Sequence, residues 1–146
     1  MNKIYIDDLN IGDVFNSETF EFTKEKIIDF AKEFDPQTFH CDEKLAKECF
    51  FKELVASGLH TNAVTMKLLV GSVPLVNGIV GVSLDVNWYH PIKPGDIVFL
   101  RTEITDISMS LKDPRKGYIF SNHDLYNQQG VFCQRIKAKL LSLKKN

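Results

Sequence analysis

The spacing of apolar residues changes once along the chain and divides it into a helical half and a strand half. From Thr23 onward, Ile27, Phe30, Ala31 and Phe34 fall at i, i+3, i+4 and i+7, with Lys and Glu opposite. That is one face of an amphipathic helix. Thr23 is placed to cap its first turn, and Pro36 disfavours helical geometry at Asp35, which predicts the helix end. Asp42 is placed to cap a second, short helix. A third begins at Ser57-Gly58 and runs through Leu59, Ala63, Val64, Met66, Leu69 and Val70 to Gly71. Its apolar positions cover more than one stripe, which predicts a helix surrounded by protein.

After Pro74 and Gly78 the period becomes two. Val80, Val82, Leu84, Val86 and Trp88 alternate with Gly81, Ser83, Asp85 and Asn87, the pattern of a strand with one buried face. Pro91, Pro94 and Gly95 mark a turn, and Val98, Leu100, Thr102 and Ile104 alternate again. Two further strands fit Gly117 to Tyr126 and Val131 to Leu143, joined at Asn127-Gln128-Gln129-Gly130, and residues 13–22 fit another. Short turns between successive strands predict an antiparallel sheet, and the apolar helix before them predicts an α+β layer with that helix on one face. The pattern leaves the strand order open.

With 146 residues and no linker, repeat or low-complexity tract, the chain reads as one domain. Length alone allows a core without disulfide or metal staples, since such a chain buries about 68–70% of its unfolded surface. Cys41, Cys49 and Cys133 are odd in number and lack CxxC spacing, and so are expected as free thiols. A content of 44% hydrophobic and 25% charged residues is that of a globular chain. No apolar run approaches the roughly 18 residues of a membrane span. Asp7 and Asp8 interrupt the start where a secretory signal would continue, which makes the cytoplasm the expected location.

Charge removes one further class. The 18 basic and 19 acidic side chains leave a formal charge of -1, with no surplus of cations to neutralise a phosphate backbone. Arg135, Lys137 and Lys139 alternate with Ile136, Ala138 and Leu140, as the solvated face of a strand does. No nucleic-acid partner is expected.

The candidate chemistry lies in Phe34-Asp35-Pro36-Gln37-Thr38-Phe39-His40. Fully extended, the five residues from Asp35 to His40 would hold their α-carbons about 17 Å apart, so the two side chains share a water only if the chain folds back. On one reading Asp35-Pro36 is a helix exit and His40 flanks the Asp42 cap. On the other, the carboxylate and imidazole form a general acid/base pair. Ser57-Gly58 then adds a helix start whose amides lack intrahelical partners, suited to a carbonyl oxygen that gains charge. An ordinary capped helix is the alternative there. His60 is expected as a helix-start or packing residue, His90 as a turn residue and His123 as part of a polar strand. None has neighbours at a recognised ligand spacing, and no metal is assigned.

Asp35, His40 five residues later and Ala46 six after that match the hydratase signature of the MaoC-like family of enoyl-thioester hydratases and dehydratases, which the chain resembles. Many of that family read D-P-Q-P-F-H where this chain has Asp35-Pro36-Gln37-Thr38-Phe39-His40. Ala56-Ser57-Gly58-Leu59-His60-Thr61 is similar to its A-S-G-x-H-T segment, and Trp88 to Asp96 to its strand-turn ending in K-P-G-D. The likeness spans nearly the whole chain. It implies a hotdog fold over residues 1–146, an antiparallel sheet wrapped around a central helix.

The same resemblance implies reversible addition of water to a trans-2-enoyl thioester, giving an (R)-3-hydroxyacyl thioester. Asp35 and His40 would be its acid/base pair, with Gly58 and Ser57 at the substrate carbonyl. It implies no cofactor beyond the CoA or acyl-carrier-protein thioester that is the substrate, and a homodimer as the assembly. Three positions depart from the signature, which prefers Gly, Asn and Pro where this chain has Phe34, Gln37 and Thr38. Without that Pro, the loop presenting His40 has one restraint fewer. A non-catalytic acyl-thioester binding or regulatory protein, and a thioesterase in which water attacks C1, are the competing readings.

Overall fold

The computed structural model describes residues 2–146. Strands β1 (Val14–Glu21), β2 (Val80–Trp88), β3 (Ile97–Met109), β4 (Lys116–Tyr126) and β5 (Phe132–Leu143) form one antiparallel sheet in the order β1-β3-β4-β5-β2. The helices are α1 (Lys24–Phe34), α2 (Thr38–Cys41), α3 (Glu43–Ala46) and α4 (Gly58–Ser72). The chain supplies an edge strand, then all its helices, and then the other edge followed by the central strands. This is the single α+β domain that the pattern predicts.

Alternation builds the core. Val98, Leu100, Thr102 and Ile104 are at most 2% exposed and face α4, whose Val64, Leu68 and Leu69 are buried against the sheet. Ile119, Leu125, Ile136, Ala138 and Leu140 extend the same layer. Each such side chain contributes about 1.5–3 kcal/mol on burial. Ile136, Ala138 and Leu140 point inward between Arg135, Lys137 and Lys139, so the basic run is one side of a strand, as expected. Arg135 makes two bonds to Asp124, at 2.7 and 2.8 Å.

Local signals hold the ends of the elements. Thr23 accepts from the Lys26 amide and Asp42 from those of Lys44 and Leu45, both as predicted. The K-P-G-D segment is a clip. Asp96 accepts from the Lys93 amide and from the Gln128 side chain, and Gln128 in turn accepts from the Ile97 amide. The β2–β3 turn is thereby fixed to the β4–β5 turn, with Gly95 at φ +89°, a conformation that favours glycine.

Three expectations are corrected. The pattern of β2 predicts a buried face, yet Val80, Val82, Leu84 and Trp88 are 61, 49, 50 and 53% exposed. The reason is position: α4 packs mainly over β1, β3 and β4, and β2 stands beyond it at the sheet edge. For the same reason α4 is covered by the sheet and α1 but not all round, and Leu59, Met66 and Val70 are exposed rather than enclosed. His123, expected in a polar strand, is 2% exposed in the core, where Thr102 and Ser121 bond its two ring nitrogens. Burial pushes its pKa down to about 4, against a smaller opposing effect of Asp124. The three cysteines are free thiols. Among the described residues no helix is long and apolar enough to cross a membrane.

Candidate active site

The chain does fold back between Asp35 and His40. Asp35 ends α1, and its carbonyl accepts from the Gln37 amide across Pro36. The chain then turns into α2, a helix that the sequence pattern does not predict, and this single turn carries His40. His40 Nε2 lies 3.3 Å from Asp35 Oδ2, with the two side chains 7% and 18% exposed. The helix exit and the Asp35–His40 pair are therefore the same piece of chain. Thr38, where the signature has Pro, is the first residue of α2.

The proton on the His40 ring is located by its other nitrogen. Nδ1 is 2.7 Å from the carbonyl oxygen of Val55. A carbonyl only accepts, so Nδ1 carries hydrogen, and in the neutral ring Nε2 is the bare, basic nitrogen. The Val55 carbonyl is itself anchored, because the Val55 amide donates to Phe39 and the Ala56 amide to Ile92. The Phe39 ring packs edge-on to the imidazole, with centroids 4.5 Å apart.

Asp35 receives two donors besides. Ser57 Oγ donates to Oδ2 at 2.6 Å and Gln37 Nε2 donates to Oδ1 at 2.8 Å. Burial alone would raise the carboxyl's pKa, but these two bonds and the nearby His40 outweigh it, and the net shift is downward. Asp35 is a carboxylate at neutral pH, better suited to holding hydrogen-bond donors and a positive ring than to keeping a proton. Gln37, a departure from the signature, performs a definite task here.

Ser57 is the N-cap of α4 and accepts from the Leu59 amide at 3.2 Å. Its own proton is committed to Asp35. Of the two residues expected at the substrate carbonyl, Ser57 thus has its hydroxyl engaged by the carboxylate, while Gly58 has a backbone amide facing the cleft. That amide donates to no acceptor among the described residues. A side chain at position 58 would collide with the Trp88 indole, a Cβ there lying 2.7 Å from Cε2.

All four groups line one open cleft of about 510 Å³, walled by Phe39, Phe51, Leu59 and Trp88 and continued by Tyr89 and His90. Thr61 closes the floor and donates to the Ser57 carbonyl. His60 stays outside the cleft as the packing residue that the sequence predicts, stacked on Phe30 at 4.5 Å and edge-on to Phe22 at 4.9 Å. Burial, and less strongly Lys26, lower its pKa to about 4. His90, expected only as a turn residue, also faces the cleft. Among the described residues no cluster of three or more His, Cys, Asp or Glu is placed to hold a metal.

Some of this site left no trace in the sequence. Gln37 had a signal, an amide two residues after a carboxylate across a proline. The Val55 carbonyl and the Trp88 indole had none, because tertiary folding alone brings them to residues 40 and 58.

Comparison with known proteins gives the family and the fold. The family model described as "MaoC like domain" matches residues 9–122. An uncharacterized protein of Bacillus subtilis (strain 168) is 31% identical over 131 residues, covering 86% of this chain and 89% of that protein. The crystal structure of a MaoC-like dehydratase from Rhodospirillum rubrum superimposes with a TM-score of 0.94 at 38% identity, over 98% of this chain and 99% of that one. An unliganded (R)-hydratase from Pseudomonas aeruginosa shares the fold, with a TM-score of 0.80 at 19% identity over 98% and 88% of the two chains.

Proposed function

We propose, for a chain that belongs to the MaoC-like domain family and has its hotdog fold, that Asp35, His40 and Gly58 catalyse reversible hydration of a trans-2-enoyl thioester to the (R)-3-hydroxyacyl thioester. The observation that carries the reading is the pairing of His40 Nε2 with an ionised Asp35 carboxylate beside a helix-start amide that has no acceptor among the described residues. Binding of a thioester carbonyl at the Gly58 amide draws electron density from the C2=C3 bond and makes C3 electrophilic. Water bridges Asp35 and His40. Nε2 takes one of its protons as the oxygen adds to C3, and the resulting imidazolium is stabilised by Asp35. The electron pair of the double bond moves to give an enolate whose oxygen is held by Gly58. His40 then returns the proton to C2, and the carbonyl re-forms. Dehydration runs through the same steps in reverse.

The assembly in this proposal is a homodimer. Val80, Val82 and Leu84 of the edge strand β2 and Leu59, Met66 and Val70 of α4 are all exposed. An edge strand with unpaired backbone groups beside an exposed apolar stripe is a surface that a second copy covers.

The test is an assay with crotonyl-CoA, following loss of the enoyl absorbance and, in parallel, free thiol. Hydration without thiol release supports the proposal. Thiol release in place of hydration would make the protein a thioesterase, and tight binding without turnover a regulatory acyl-thioester protein.

A further inference from the structure

Trp88 stands where the acyl group must pass. It is the last residue of β2, and its partner across the ladder is Gln134 of β5. Gln134 is fully buried and donates to Thr65 on α4, so this register position faces the helix. The indole accordingly reaches the start of α4 and occupies the space that a side chain at position 58 would need: a Cβ there would lie 2.7 Å from Cε2, 2.8 Å from Nε1 and 3.0 Å from Cζ2. The rest of the ring is open to the cleft, and the residue is 53% exposed.

A carbonyl oxygen that accepts from Gly58 sits about 2.9 Å from that nitrogen. C1, C2 and sulfur then follow within one or two bonds, alongside the ring. From this contact we infer that Trp88 selects acyl thioesters that carry no substituent at C2. The inference rests on the reading of Gly58 as the carbonyl donor and adds a specificity to it. A straight enoyl group is flat through C1, C2 and C3 and passes along the indole. In the saturated and 3-hydroxyacyl forms C2 is tetrahedral, and a methyl branch there leaves that plane toward the ring, which has Gly58 of α4 behind it. Misfits of one methyl or methylene group in a pocket typically change selectivity by about 10–200-fold.

Butyryl-CoA and 2-methylbutyryl-CoA test this without turnover, because they share a four-carbon chain, differ only by a methyl group at C2, and cannot be hydrated. Trp88 is the only tryptophan of the chain, so its fluorescence reports on the contact directly. The expected result is a change in emission on binding of butyryl-CoA and an affinity about ten-fold or more weaker for 2-methylbutyryl-CoA. In Trp88→Ala, measured by calorimetry, the two affinities should come within about two-fold of each other, since the wall is gone. Trp88→Phe, which keeps a ring on β2, should fall between them and serves if the alanine variant does not fold. Calorimetric binding that leaves the emission unchanged, or a ratio of the two affinities unaltered in the variants, would overturn the inference. Failure of both ligands to bind would instead remove the acyl-thioester reading itself, and this one with it.

Discussion

His40 turns its Nε2 to the Asp35 carboxylate, 3.3 Å away, while its Nδ1 proton is held by the Val55 carbonyl at 2.7 Å. Nδ1 donates in either protonation state of the ring, so Nε2 is the nitrogen that can gain or lose a proton, and it does so beside a carboxylate whose pKa is lowered.

Ser57 sets the state of Asp35, and this is visible in stability. Asp35 has a folded pKa below its ordinary value, so its ionised form stabilises the fold above the unfolded pKa, and this contribution is lost as pH falls through the folded pKa. Ser57→Ala removes a bond to a charged group and an N-cap, and should cost about 2 kcal/mol at neutral pH. The difference from wild type should narrow on acidification below about pH 4, where the carboxylate protonates in the unfolded chain and then in the folded one. Urea denaturation at several pH values measures it.

Gly58 and Trp88 should show strong non-additivity. Gly58→Ala puts a methyl group 2.7 Å from the indole and should lower kcat/KM for crotonyl-CoA by about ten-fold or more, as the ring and the amide shift apart. In the Trp88→Ala background the same methyl group has room, and most of that loss should disappear. A double-mutant cycle on kcat/KM checks this.

The edge strand should govern assembly. Leu84→Lys places a charge in the middle of the exposed apolar run of β2, a device that blunts sheet edges. Sedimentation should show a dimer for the wild type and, for the variant, dissociation at concentrations about 100-fold higher. The fold of the single chain should survive, since Leu84 is half exposed.

What the sequence made legible divides along local and non-local lines. The Thr23 and Asp42 caps, the Asp35-Pro36 helix end and the alternation of β3 to β5 are set by neighbours a few residues away, and the structure has them where the pattern puts them. Burial of β2 is not legible, because alternation tells which side chains share a face and not what lies over that face. His123 was misread for a related reason: its neighbours in sequence are polar, but its partners are Thr102 on the next strand and Ser121. In the site, Asp35, His40, Ser57 and Gly58 were all identifiable, and the division of labour was not. That Ser57 serves the carboxylate while Gly58 keeps a free amide follows only from a 2.6 Å contact across 22 residues of chain.

The central claim is that His40 and Asp35 together handle the proton of the added water. Its most direct test is kcat for crotonyl-CoA hydration in His40→Ala and Asp35→Asn, with circular dichroism confirming that each is folded. Loss of acid/base assistance typically costs about 10²–10⁴ in rate, and both variants should fall by similar amounts in that range, because each removes one half of a shared proton site. Folded variants that turn over crotonyl-CoA at near wild-type rates would contradict the account.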